Sequence, residues 1–122
     1  MTIWKSGLSL ILLSHFVVPA VAADKPHLLT PPEIKATFGT GTPFTATAPS
    51  GKVIMITLKP DGVAQAVPKG KKKGKAGKWR LSDDGYCTAW EKAAENCYKI
   101  RQIGADYEVV NASNAIIAHW TK

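Results

Sequence analysis

The sequence predicts a mainly β protein, in which a short N-terminal helix is followed by an antiparallel meander of about eight strands forming a small barrel or a curled sheet. Three observations carry this expectation. A helix start is punctuated once, at Thr30-Pro31-Pro32-Glu33. Beyond Gly39-Thr40-Gly41 the chain breaks into short β-branched and aromatic runs separated by turn residues. The connections between those runs are shorter than the dozen or more residues that a parallel crossover needs, so neighbouring strands must pair antiparallel.

Each element has its own signal. Thr30 is placed to cap a helix, Pro31 suits its first turn and Glu33 completes a capping box. The glycines after Phe38 stop it. Residues 44–48 alternate large or β-branched with small side chains, and 53–58 is an apolar run, with Pro49-Ser50-Gly51 turning between them. Lys59-Pro60-Asp61-Gly62 is the clearest reversal in the chain and leads into 63–67. A lysine-rich loop, 69–78, precedes further strands at 79–82, 86–91, 97–103, 107–110 and 115–120. The two-residue strand period puts Tyr86, Thr88 and Trp90 on one face and Cys87, Ala89 and Glu91 on the other.

The first residues read as an address. Lys5, the apolar run 8–18 and the small-x-small pattern Ala20-Val21-Ala22 form a signal peptide over residues 1–23. The run is shorter than the roughly 20 apolar residues of a spanning helix, so no transmembrane segment is expected in the mature form, a single β domain over 24–122. Removing 1–23 takes one basic residue, Lys5, and no acidic one, so the net charge falls from +7 to +6. The expected location is the periplasm or the exterior. There, Cys87 and Cys97, the two cysteines of the chain, pair in one disulfide within a hairpin. Two thiols ten positions apart lack the further ligands of a structural zinc site, and neither a metal nor a cofactor is expected.

The basicity belongs to one segment. Lys69, Lys71, Lys72, Lys73, Lys75, Lys78 and Arg80 fall within twelve residues, and the rest of the mature chain holds eight basic against nine acidic residues. These seven are candidates for binding an anion of the cell envelope; the plainer alternative is a solvated loop. Nucleic acid is disfavoured, because only Trp79, at the segment's end, could stack on a base. Trp79, Trp90, Trp120 and Tyr98 are candidates for lining a pocket for a small apolar ligand; the plainer alternative is that they form the core. No catalytic constellation is recognisable. His27 and His119 sit in no motif, Asp83 and Asp84 read as turn formers with only a weak calcium pattern, and Asn111-Ala112-Ser113 reads as a turn.

Gly77-Lys78-Trp79, Asp84-Gly85-Tyr86-Cys87-Thr88-Ala89-Trp90, Cys97-Tyr98 and Gly104-Ala105-Asp106-Tyr107 follow the pattern G-x-W, D-G-x-C-x-x-W, C-Y, G-x-x-Y. In this the chain resembles a group of small exported bacterial proteins of unknown function. The resemblance implies an envelope β domain with a disulfide and carries no activity. The lysine loop departs from the common pattern.

The expected function is therefore a non-enzymatic periplasmic or envelope domain that binds an unidentified partner or ligand through its sheet or barrel mouth. An electrostatic adaptor to anionic envelope surfaces is the alternative, and a hydrolase built on His119 is the third.

Overall fold

The computed structural model describes residues 25–122, so the expected signal peptide lies outside the described residues. The described residues begin with a short strand, β1 (His27–Leu28), and a helix, α1 (Pro31–Phe38). Eight strands follow: β2 (Phe44–Thr47), β3 (Val53–Leu58), β4 (Val63–Pro68), β5 (Lys75–Leu81), β6 (Tyr86–Trp90), β7 (Asn96–Ile103), β8 (Asp106–Val110) and β9 (Ile116–Thr121). From β2 to β9 each strand pairs antiparallel with its sequence neighbour, and β9 pairs back onto β2 through Ala46 and Trp120. The ring closes. The expectation of a barrel or a curled sheet thus resolves to an eight-stranded up-and-down barrel with one extra strand.

Three sequence expectations are adjusted. The helix is not the first element among the described residues, because β1 precedes it and pairs with Arg101 and Gln102 of β7. The strand count among the described residues rises to nine with β1, whose two residues are too few to show a period in sequence. The lysine-rich stretch is a loop only from Lys69 to Gly74, since Lys75 and Lys78 belong to β5, opposite Ala66 and Val63 of β4. Gly77 shows why that stretch can be a strand. A Cβ there would lie 2.5 Å from the Ala89 carbonyl oxygen and 3.0 Å from the Trp90 ring, so only a glycine fits beneath the tryptophan.

The helix forms as its punctuation requires. The Thr30 side chain accepts from the Glu33 backbone N–H, and Glu33 accepts from the Thr30 backbone N–H at 2.8 Å. His27 Nε2 sits 3.0 Å from the same carboxylate, which fastens β1 to the helix start. The backbone bond from Thr30, followed by the contact with His27, holds the Glu33 carboxyl below its usual range.

Packing gives the barrel two unlike ends. At the lower end are the β3–β4, β5–β6 and β7–β8 turns, where α1 lies across the opening with Ile34 and Phe38 fully buried. The Phe38 ring meets Phe44 and Tyr107 at 4.8 Å and Trp120 at 4.9 Å between centroids, all edge-on. Each such pair contributes about 0.5–1.5 kcal/mol beyond the area it buries. Trp79 seals one side, its indole N–H donating to the Lys59 carbonyl at 2.7 Å. The other end, carrying the β2–β3, β4–β5, β6–β7 and β8–β9 turns, has no helix over it among the described residues.

Cys87 and Cys97 are directly opposed on β6 and β7 and are disulfide-bonded. Cys87 points outward from the barrel yet is fully buried. Arg80, opposite Cys87 on β5, holds Glu95 through two bonds of 2.7 and 3.0 Å, and the Glu95 carboxylate lies within 4.8 Å of both sulfurs. Because the sulfurs are bonded to each other, the three side chains form a crosslink, buried at Cys87 and exposed at Cys97, rather than a metal site.

Two stability measurements follow. Phe38→Ala should lower unfolding free energy by about 3–5 kcal/mol in a urea titration, because the ring is enclosed and its neighbours are held in the sheet. Reducing the Cys87–Cys97 bridge, which spans ten positions, should lower it by about 3 kcal/mol on chain-entropy grounds while leaving the β-sheet circular dichroism spectrum in place.

Candidate functional site

An eight-stranded barrel has an interior just wide enough to be filled by side chains or to hold one small ligand. Both outcomes occur here, one at each end. Inward-facing Leu58, Ala64, Ile100 and Val109 are completely buried towards the helix end. Inward-facing Ile54, Ile56, Trp90, Tyr98 and Ile117 remain partly exposed, so solvent reaches the upper lumen.

The upper lumen has two adjoining spaces. The first is a cavity of about 160 Å³ between Ala46, Tyr86, Thr88, Tyr98, Val109 and Trp120. The second, of about 260 Å³, lies nearer the β3–β5 side against Ala66 and Pro68 and reaches the rim at Lys52, Lys73 and Lys75. Ile54, Ile56 and Trp90 wall both. Trp90 lies over Gly77, its partner across the β5–β6 ladder, and forms the partition. Small inward residues open the room: Ala66 on β4, Ala46 on β2, Ala118 on β9.

Polar atoms are few in this interior. Thr88 is buried, and the Tyr86 and Tyr98 rings stand 5.4 Å apart across the β6–β7 pair. Burial pushes the Tyr86 phenol well above its ordinary value of 10.0, with the neighbouring Tyr98 adding to the rise. Burial also raises Tyr98, against an opposing hydrogen bond from Thr88.

The residues singled out from sequence separate cleanly. Trp90, Trp120 and Tyr98 come together on the cavity wall, whereas Trp79 belongs to the lower seal beside Gly39. Lys73 and Lys75 reach the rim. Lys69, Lys71 and Lys72 occupy the exposed β4–β5 turn, Lys78 faces the outer wall, and Arg80 is engaged with Glu95. His119 stands exposed on the outer face of β9, opposite Thr47 and Glu108 and away from the lumen. Asp84 pairs with Lys99 at 3.3 Å, and Asn111 Oδ1 accepts from the Ser113 and Ala115 backbone N–H groups, as a turn former does.

Lys52, Ile54, Ile56 and Thr88 complete the site without having been singled out from sequence. A signal was present for all four, since Lys52, Ile54 and Ile56 share one strand face with Leu58, and Thr88 shares one with Tyr86 and Trp90. What the alternation lacked was a sense of which face is inside.

No protein-family model, no curated protein and no solved structure matches this chain. Among the described residues no helix is long and apolar enough to cross a membrane.

The raised phenols tie stability to alkaline pH. A group whose proton is held more tightly in the folded state contributes stability below its unfolded value and loses it as pH rises. The phenols' contribution to unfolding free energy should therefore be level up to about pH 10 and fall above it. The fall should be shallower in Tyr86→Phe, as read by urea titrations across that range; an identical profile would remove Tyr86 as its cause.

Proposed function

We propose that this domain binds a small, largely apolar ligand in the upper lumen of its barrel, acting outside the cytoplasm in the periplasm or beyond. One observation carries this reading: inward-facing Ile54, Ile56 and Trp90 border empty space that solvent reaches, while the same barrel is filled solid at its helix end. A structural core has no use for open apolar volume, because unfilled space forfeits dispersion contacts. The size is informative too. Apolar cavities near 150 Å³ accept a benzene-sized molecule, so the inner space suits a single ring or short alkyl segment. The cross-strand disulfide supports an oxidising compartment, in keeping with the export signal expected of residues 1–23. The pattern G-x-W, D-G-x-C-x-x-W, C-Y, G-x-x-Y, read as a resemblance to small exported bacterial proteins, would place the domain there too.

A second reading has its own support. Lys69, Lys71 and Lys72 project from an exposed hairpin turn, a placement suited to electrostatic contact with an anionic envelope surface.

The lumen reading is tested with 1-octanol, a neutral probe of suitable bulk. It should raise the melting temperature of the protein and show saturable binding by calorimetry, and Ala66→Phe, which fills the outer space, should weaken that binding by about tenfold or more. No shift and no heat at saturating octanol would defeat the proposal.

A further inference from the structure

The outer space joins two kinds of surface that seldom line one wall. Below, it is bounded by Ile54, Ile56, Ala66 and Trp90; above, by Lys52, Lys73 and Lys75. The lysines arrive there by register. Lys75 is opposite Ala66 on the inward face of its ladder, and Lys52 precedes Ile54 on the inward face of β3. Their stems extend the apolar wall while their ammonium groups stand at the rim.

These charges are available. Arg80, Lys99 and Arg101 are held by Glu95, Asp84 and Glu108 respectively. Among the described residues no carboxylate lies within ion-pairing distance of Lys52, Lys73 or Lys75. The surrounding field reinforces them. The mouth turns carry Lys52, Lys69, Lys71, Lys72, Lys73 and Lys92 against Glu91 and an engaged Glu95, whereas the opposite turns carry Asp61, Asp83 and Asp84 against Lys59.

We propose that the ligand is a small single-chain anionic amphiphile: its apolar body enters the lumen beside Trp90, and its carboxylate or phosphate head sits between Lys52, Lys73 and Lys75. This inference rests on the lumen reading and adds the head group, the orientation and the residues that select for charge. The apolar body gains by leaving water, and the head keeps its hydration at the rim while meeting three cations. A neutral molecule of the same length gains only the first, and a cationic one is repelled.

The test compares octanoate, octyl phosphate, 1-octanol and inorganic phosphate by calorimetry on the full chain, below the concentrations at which the amphiphiles aggregate. The triple variant Lys52→Gln/Lys73→Gln/Lys75→Gln serves as the second arm, since all three side chains are exposed and their loss leaves the core untouched. At least one eight-carbon anion should bind about tenfold or more tighter than octanol, and the stronger of the two identifies the head. The triple variant should remove the preference for that anion over octanol, both measured on the same variant, and high salt should do the same. Octanol binding as tightly as both anions overturns the head-group assignment while leaving the lumen reading intact. Failure of all three eight-carbon probes overturns both. Inorganic phosphate binding as tightly as octyl phosphate, or octanoate binding unchanged in Ala66→Phe, places the anion on the lysine surface alone and also overturns the inference.

Discussion

Phe38 closing the lower end of the ring is the contact on which the rest of this structure depends. An open-ended barrel of eight strands would expose its interior to water from both sides, and a short helix of this kind is marginal in isolation. Each solves the problem of the other. The helix is held because Ile34 and Phe38 are buried among Phe44, Tyr107 and Trp120. The ring is sealed because the helix lies across it. Phe44 and Trp120 belong to neighbouring strands, β2 and β9, whose pairing is the closure itself, so plug and closure reinforce one another.

That arrangement produces an interior with a direction. Aromatic rings fill the lower half, and alanines on β2, β4 and β9 leave the upper half open behind Trp90. Charge follows the same axis for a topological reason. In an up-and-down barrel alternate turns fall at opposite ends, so a lysine-rich β4–β5 turn and a lysine after the β2–β3 turn are brought to one rim although about twenty residues separate them. The acidic pair Asp83 and Asp84 falls in a β5–β6 turn and goes to the far end. The disulfide ties the β6–β7 pair from outside and leaves the lumen side of β6 to Tyr86, Thr88 and Trp90.

Much of the fold was legible because its signals are local. The capping box of Thr30 and Glu33, the Pro60-Asp61-Gly62 turn and the strand alternation at 86–90 each depend on residues a few positions apart, and each appears where those residues require it. The site was legible only in part. Three of the four aromatic candidates share the cavity wall, and Trp79 differs because a helix of remote sequence packs against it. Lysine content drew the eye to 69–78 as one loop, whereas the ladder with β4 divides that stretch. Lys73 and Lys75 go to the rim, Lys69, Lys71 and Lys72 to the turn, and Lys78 to the outer wall.

By itself, then, the sequence determined an antiparallel β chain with one capped helix and a hairpin bearing two cysteines, because strand period, turn chemistry and short connections act over neighbouring residues. Only the tertiary structure decided that the meander closes, which end the helix blocks, and that Lys52 and Lys75 meet Ile54, Ala66 and Trp90 around one opening. Those outcomes depend on pairing the first strand of the ring with its last and on which face of every strand then points inward. Neither is encoded within any window of the chain; both follow from burying Phe38, Phe44 and Trp120 together.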